Sequence, residues 1–131
     1  MADGLWFEAH ATMSKHPKTL KLARLLGVKR REAVGLLHDL FSWGLTSAAK
    51  DGSLPGLTEE DIAEALDYPK KSANKAISSL VESGYLDFER GTYSIHNWYD
   101  YAGKLYDSRE RNREKNKRYR DGKKDRENTS A

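Results

Sequence analysis

Apolar residues recur along this chain at two periods, and the switch between them marks out its elements. Thr58-Glu59-Glu60-Asp61-Ile62-Ala63-Glu64-Ala65-Leu66 holds Ile62, Ala63, Ala65 and Leu66 on one face of a short helix. Thr58, with Asp61 three residues on, offers a hydroxyl and a carboxylate to the unpaired N–H groups of the first turn. After Asp67-Tyr68-Pro69 a second helix is predicted from Lys70 to Ser83, because Pro69 cannot continue a helix but suits the start of one. In that helix Ala73, Ala76, Ile77, Leu80 and Val81 fall three or four apart and face inward, and Gly84 supplies a left-handed cap. The period then drops to two. Tyr85–Phe88 and Tyr93–His96 alternate on either side of Glu89-Arg90-Gly91-Thr92, which predicts a hairpin.

Upstream, Pro17 opens and Gly27 closes a helical pattern built on Leu20, Leu22, Ala23, Leu25 and Leu26. The most apolar segment follows, a longer helix from Lys29 to Ser47 with Ala33, Val34, Leu36, Leu37, Leu40, Phe41 and Trp43 as its core face. Asp51-Gly52 is a turn signal, and Ser53-Leu54-Pro55 is expected to form a short strand beside the hairpin. Leu5–His10 reads as an extended arm or short strand, with Trp6 and Phe7 as an aromatic plug closing the core. Asn97-Trp98-Tyr99-Asp100-Tyr101-Ala102-Gly103 is expected to pack the chain's exit against the body. The fold class implied is mainly α with a small β-hairpin: a winged helix-turn-helix over residues 1–103, followed by a basic tail or linker over 104–131 that is partly helical or disordered. In the tail Glu114 and Arg118 are spaced to form an i,i+4 pair.

Composition narrows the function. The chain has no cysteine, so disulfides and thiolate metal sites drop out. No apolar run approaches the roughly 20 residues of a membrane span, and the N-terminus lacks the apolar segment of a signal peptide, so a cytoplasmic protein is expected. The net charge of +3 is unevenly spread. Residues 104–131 hold 11 Lys/Arg against 6 Asp/Glu, whereas residues 1–103 are net acidic by two charges. Isoelectric point alone therefore says little about the body.

No enzyme site is legible. Phosphate-binding loops, dinucleotide fingerprints and His-Glu-x-x-His are absent, the histidines (His10, His16, His38, His96) are scattered, and no cofactor or metal is expected. Glu59, Glu60, Asp61 and Glu64 read as ordinary dipole partners early in a helix. A binding role fits better. In a helix-turn-helix the second helix enters the major groove, N-terminal residues nearest the bases. Lys70, Lys71, Ser72, Asn74, Lys75 and Ser78 occupy that outer side, with Asn suited to adenine and Lys to guanine or phosphate. Arg90 at the hairpin tip can reach the backbone or minor groove. In the tail Arg109, Arg111, Arg113, Lys117, Arg118 and Arg120 can hold phosphates while Tyr119 stacks on an exposed base; the competing reading is a soluble linker to a further domain.

These features together carry a resemblance. Trp6-Phe7, His16-Pro17-Lys18, the Asp51-Gly52 turn before Asp61-Ile62-Ala63, Gly84-Tyr85-Leu86 and, most specifically, Ile95-His96-Asn97-Trp98-Tyr99-Asp100-Tyr101-Ala102-Gly103 with its basic continuation resemble the N-terminal winged-helix domain of phage replisome-organiser proteins, relatives of DnaD-like primosome proteins. The resemblance spans nearly the whole chain. It implies DNA as the partner, origin duplex or single strand, with self-association into a homo-oligomer and recruitment of a helicase or helicase loader. Family members are usually longer, so a chain stopping at Ala131 is expected to be a fragment or a short member, and functions of the C-terminal domain do not transfer. Two other readings remain open: a winged-helix transcriptional regulator, which requires a palindromic site, and a protein-interaction or oligomerisation module that binds no DNA.

Overall fold

The computed structural model describes residues 4–129, with side chains through residue 123. Five α-helices and one small sheet follow in the order α1 (Pro17–Leu26), α2 (Arg30–Ser47), β1 (Ser53–Leu54), α3 (Glu59–Ala65), α4 (Ala73–Ser83), β2 (Leu86–Glu89), β3 (Thr92–Ile95) and α5 (Trp98–Thr129). Single 3₁₀ turns at Ala11–Lys15 and Lys70–Ser72 precede α1 and α4. Three helices end in the same hydrogen-bonding pattern. After α1, α3 and α4 the residue at the left-handed position is Gly27, Asp67 or Gly84, and the next N–H reaches back to Ala23, Ala63 or Leu80. Asp is among the few non-glycine residues that enter this conformation readily.

The sheet is antiparallel with order β1-β3-β2, so the short strand from Ser53 joins the hairpin as expected, Leu54 opposite Tyr93. Arg90 and Gly91 form the two-residue hairpin loop, with φ of 52° and 77°, as a type I′ connection requires. Leu86 pairs with Ile95 and Phe88 with Tyr93 on one face. Leu86 and Ile95 are buried; farther out the same face carries Phe88 into solvent, its ring 4.5 Å from that of Tyr93.

The core is built from Leu22 and Leu26 of α1, Leu37, Leu40 and Phe41 of α2, Ile62 of α3, Ile77 and Leu80 of α4, the inner sheet face, and Trp98. At Gly44 a Cβ would come within 2.6 Å of Ile95 Cδ1 and 2.9 Å of Trp98 Cη2, so this glycine lets α2 pass close to the indole. The long second helix is where the apolar period places it.

Five expectations change. The plug is Phe7 alone: its ring meets Phe41 at 5.7 Å and His38 at 5.3 Å, while Trp6 is 43% exposed. Successive side chains on an extended backbone point to opposite sides, so an inward Phe7 sends Trp6 outward. The helix expected from Lys70 begins at Ala73, because Lys70–Ser72 form the 3₁₀ turn first. The tail, expected to be partly helical or disordered, is continuous helix as far as Thr129. Trp98–Asn128 contains neither proline nor a β-branched residue, and packing of Trp98, Ala102 and Leu105 supplies the nucleus that an isolated charged peptide lacks. The boundary at residue 103 accordingly falls inside α5. Leu105 beyond it is buried, and Tyr106 Oη accepts from Trp98 Nε1 at 2.9 Å. Glu114 and Arg118 are not among the ion pairs of the described residues, which are Lys70–Glu60, His96–Asp87 and Lys104–Glu8.

Candidate nucleic-acid interface

The α3–turn–α4 unit is fixed at both of its sharp points. At the start of α3 the Thr58 hydroxyl accepts from Asp61 N–H at 3.2 Å while Asp61 Oδ2 accepts from Thr58 N–H at 2.9 Å, the reciprocal cap the sequence predicts. These bonds favour the carboxylate and hold Asp61 below its ordinary pKa, the backbone bond being the larger cause. At the turn, left-handed Asp67 and then Pro69 redirect the chain. Ala73, Ala76, Ile77 and Leu80 bury the inner side of α4. Asn74, Lys75 and Ser78 are exposed on its outer side, Lys70 and Lys71 are exposed in the preceding turn, and Ser72 is half-buried there. No carboxylate occurs between Lys70 and Val81, so the N-terminal part of the outward face carries only positive charge; Glu82 is exposed in the last turn of α4.

Not all of that face is open. Asn74 Nδ2 donates to Glu59 Oε1 at 3.1 Å, and Lys70 Nζ lies 4.0 Å from Glu60 Oε2. The acidic first turn of α3 thus holds two of the six expected groups, a long-range pairing that helix spacing alone does not reveal. Ser78 Oγ donates to the Lys75 carbonyl within its own helix, leaving its lone pairs free to accept. Among the described residues Lys71 and Lys75 form no ion pair. At the hairpin tip Arg90 is exposed and left-handed, a position where Asn, Asp or Gly costs less.

Arg109, Arg111, Arg113, Lys117, Arg118 and Arg120 are all exposed on α5 beyond the core, with Tyr119 at 68% exposure. The sequence reads there as alternating charge; on the helix the acidic residues gather into one stripe, flanked by Arg111, Arg113, Lys117 and Arg118. Asp107, Glu110, Glu114 and Asp121 are spaced three, four and seven apart and share one face. Leu105, Arg109, Asn112, Asn116 and Tyr119 run along another, which meets the N-terminal arm. That segregation was present in the spacing of the acidic residues. The contact with Trp6 was not.

The histidines do not converge. His16 caps α1 by accepting from Lys18 N–H, His38 meets Phe7, His10 lies edge-on to Tyr101, and His96 pairs with Asp87 at 2.8 Å. Among the described residues no helix is long and apolar enough to cross a membrane. No protein-family model matches the chain, and comparison with curated proteins and with solved structures returns no match.

Proposed function

We propose that this chain is a winged helix-turn-helix domain that binds duplex DNA without catalysing a reaction, in a phage or prophage replication-initiation protein. The observation that carries DNA binding is the outer side of the turn and of α4: Lys71 in the turn and Lys75 and Ser78 on the helix are exposed, the inner side of the helix is buried, and α4 bears no carboxylate before Glu82 in its last turn. The hairpin plays the wing, and a strained Arg90 at its tip is more economically explained by a contact than by the turn's own needs. Lys70 and Asn74 act only after exchanging Glu60 and Glu59 for the ligand, so Lys71 and Lys75 lead. Residues of α5 add sequence-independent phosphate contacts. The role in replication initiation rests on the resemblance of residues 95–103 and their basic continuation.

The test is a fluorescence-anisotropy titration of a random duplex with the full chain and with Lys71→Ala and Lys75→Ala. Each substitution is expected to weaken binding and to make the salt slope about one unit shallower. Unchanged duplex affinity in both variants removes α4 from the interface.

A further inference from the structure

The N-terminal arm and α5 border a groove that continues along α5 alone, with the exposed aromatics Trp6 and Tyr119 in its two parts. Trp6, Leu105, Arg109, Asn112 and Arg113 line its first part, with Asn116 at the junction. Arg113 and Asn116 continue into a second part with Tyr119 and Arg120. No Asp or Glu lines either part, though Arg113 and Arg120 border Glu110 and Glu114 on their far side. Trp6 and Tyr119 are 43% and 68% exposed, and neither is among the aromatic ring pairs of the described residues. The arm that carries Trp6 is anchored rather than loose: Glu8 N–H donates to the Tyr101 carbonyl at 2.7 Å, Glu8 Oε1 meets Lys104 Nζ at 2.8 Å, and Phe7 is packed on Phe41.

We infer that this groove is a second site, distinct from the α4 face, for an unpaired polynucleotide strand. The chemistry is complementary at each position. Indole and phenol faces accept any base by stacking, the three arginines neutralise phosphates, and the two asparagine amides offer donors and acceptors to base edges. From Leu105 to Tyr119 the helix rises about 21 Å, the length of about six stacked nucleotides at 3.4 Å each. A duplex hides its base faces and cannot use the two rings. Pairing of this face with the same face of a second copy would set arginines against arginines and is opposed by like charge. The inference deepens the DNA-binding proposal but names different residues, so the two stand or fall separately.

The experiment titrates residues 1–131 with oligodeoxyuridylate and oligouridylate of about 12 nucleotides, following both tryptophan fluorescence and anisotropy, in parallel with the random duplex. Quenching of Trp6 is expected on strand binding, and the tighter of the two oligonucleotides identifies the strand's sugar. Trp6→Leu and Tyr119→Leu should each weaken strand binding by about 5- to 150-fold, the range of one lost base stack, and leave duplex binding unchanged. Arg109→Gln and Arg113→Gln should each make the single-strand salt slope shallower by about 0.7. Strand affinity unchanged in both aromatic variants overturns the inference, as does its loss in Lys71→Ala/Lys75→Ala alone. So does an oligomer that Trp6→Leu dissociates while strand binding persists. Strand binding that needs Trp6 and Tyr119, with no duplex binding, upholds this site and rejects the α4 proposal.

Discussion

Thr19 and Tyr85, 66 residues apart, share a buried hydrogen bond that joins α1 to the start of β2, and its geometry makes an asymmetric prediction. Thr19 Oγ1 lies 2.6 Å from both the Met13 carbonyl and Tyr85 Oη. A carbonyl only accepts, so the Thr19 hydroxyl donates to Met13 and the Tyr85 hydroxyl donates to Thr19. Both side chains are almost fully buried, at 0% and 3% exposure. Tyr85→Phe removes the terminal donor and leaves Thr19 bonded to Met13, at a cost of about 0.5–1.5 kcal/mol. Thr19→Val keeps the shape but strands the Tyr85 hydroxyl, at about 1–3 kcal/mol; the Met13 carbonyl retains the His16 N–H. In the double variant nothing is stranded, so it should cost less than Thr19→Val alone, near 1 kcal/mol. The three stabilities come from urea unfolding, compared through the midpoint at constant m. A double variant that loses the sum of the two single losses would refute the donor order and the coupling.

At Gly52 φ is +88°, and an added Cβ would lie 2.6 Å from Trp98 Cβ and 2.7 Å from the Ile95 carbonyl oxygen. Gly52→Ala should cost about 2 kcal/mol or more, a Tm fall of about 7 °C. Gly56→Ala, also left-handed at +75° but with open space around it, should lose about half as much; equal losses in thermal melts would deny the close approach. Arg90→Asn should stabilise the fold by about 1 kcal/mol by relieving the left-handed turn, while weakening duplex binding; a gain in both would remove Arg90 from the interface. Asp61 sits below its ordinary value of 3.8, so its cap contributes stability that is full above that value and is lost as pH falls through the lower folded value. Asp61→Asn should therefore flatten the stability profile between about pH 4 and the folded pKa, measured by urea unfolding across that range.

What the sequence made legible was mostly local. The Thr58 cap, the Gly27 and Gly84 ends, the Arg90-Gly91 loop and the pairing of Ser53–Leu54 beside the hairpin each depend on residues close in the chain or on period two. The tail was misjudged because composition scores a charged segment as unable to fold, whereas its helix grows from a nucleus already packed at Trp98 and Leu105. Asn74 shows the other limit. Its spacing correctly puts it on the outer side of α4, but its hydrogen bond to Glu59 comes from the angle at which α3 meets α4. Trp6 failed for a different reason: two adjacent aromatics on extended backbone cannot both face the core, and the sequence does not say which one does.

The central claim is that α4 presents a duplex-binding face, and the most direct measurement is the salt dependence of duplex affinity for the full chain and for Lys71→Ala/Lys75→Ala. With about five phosphates neutralised, log K should fall against log salt with a slope near −4.5, and the double variant should bind more weakly with a slope about two units shallower. An affinity indifferent to salt, or a double variant indistinguishable from the parent chain, would contradict it.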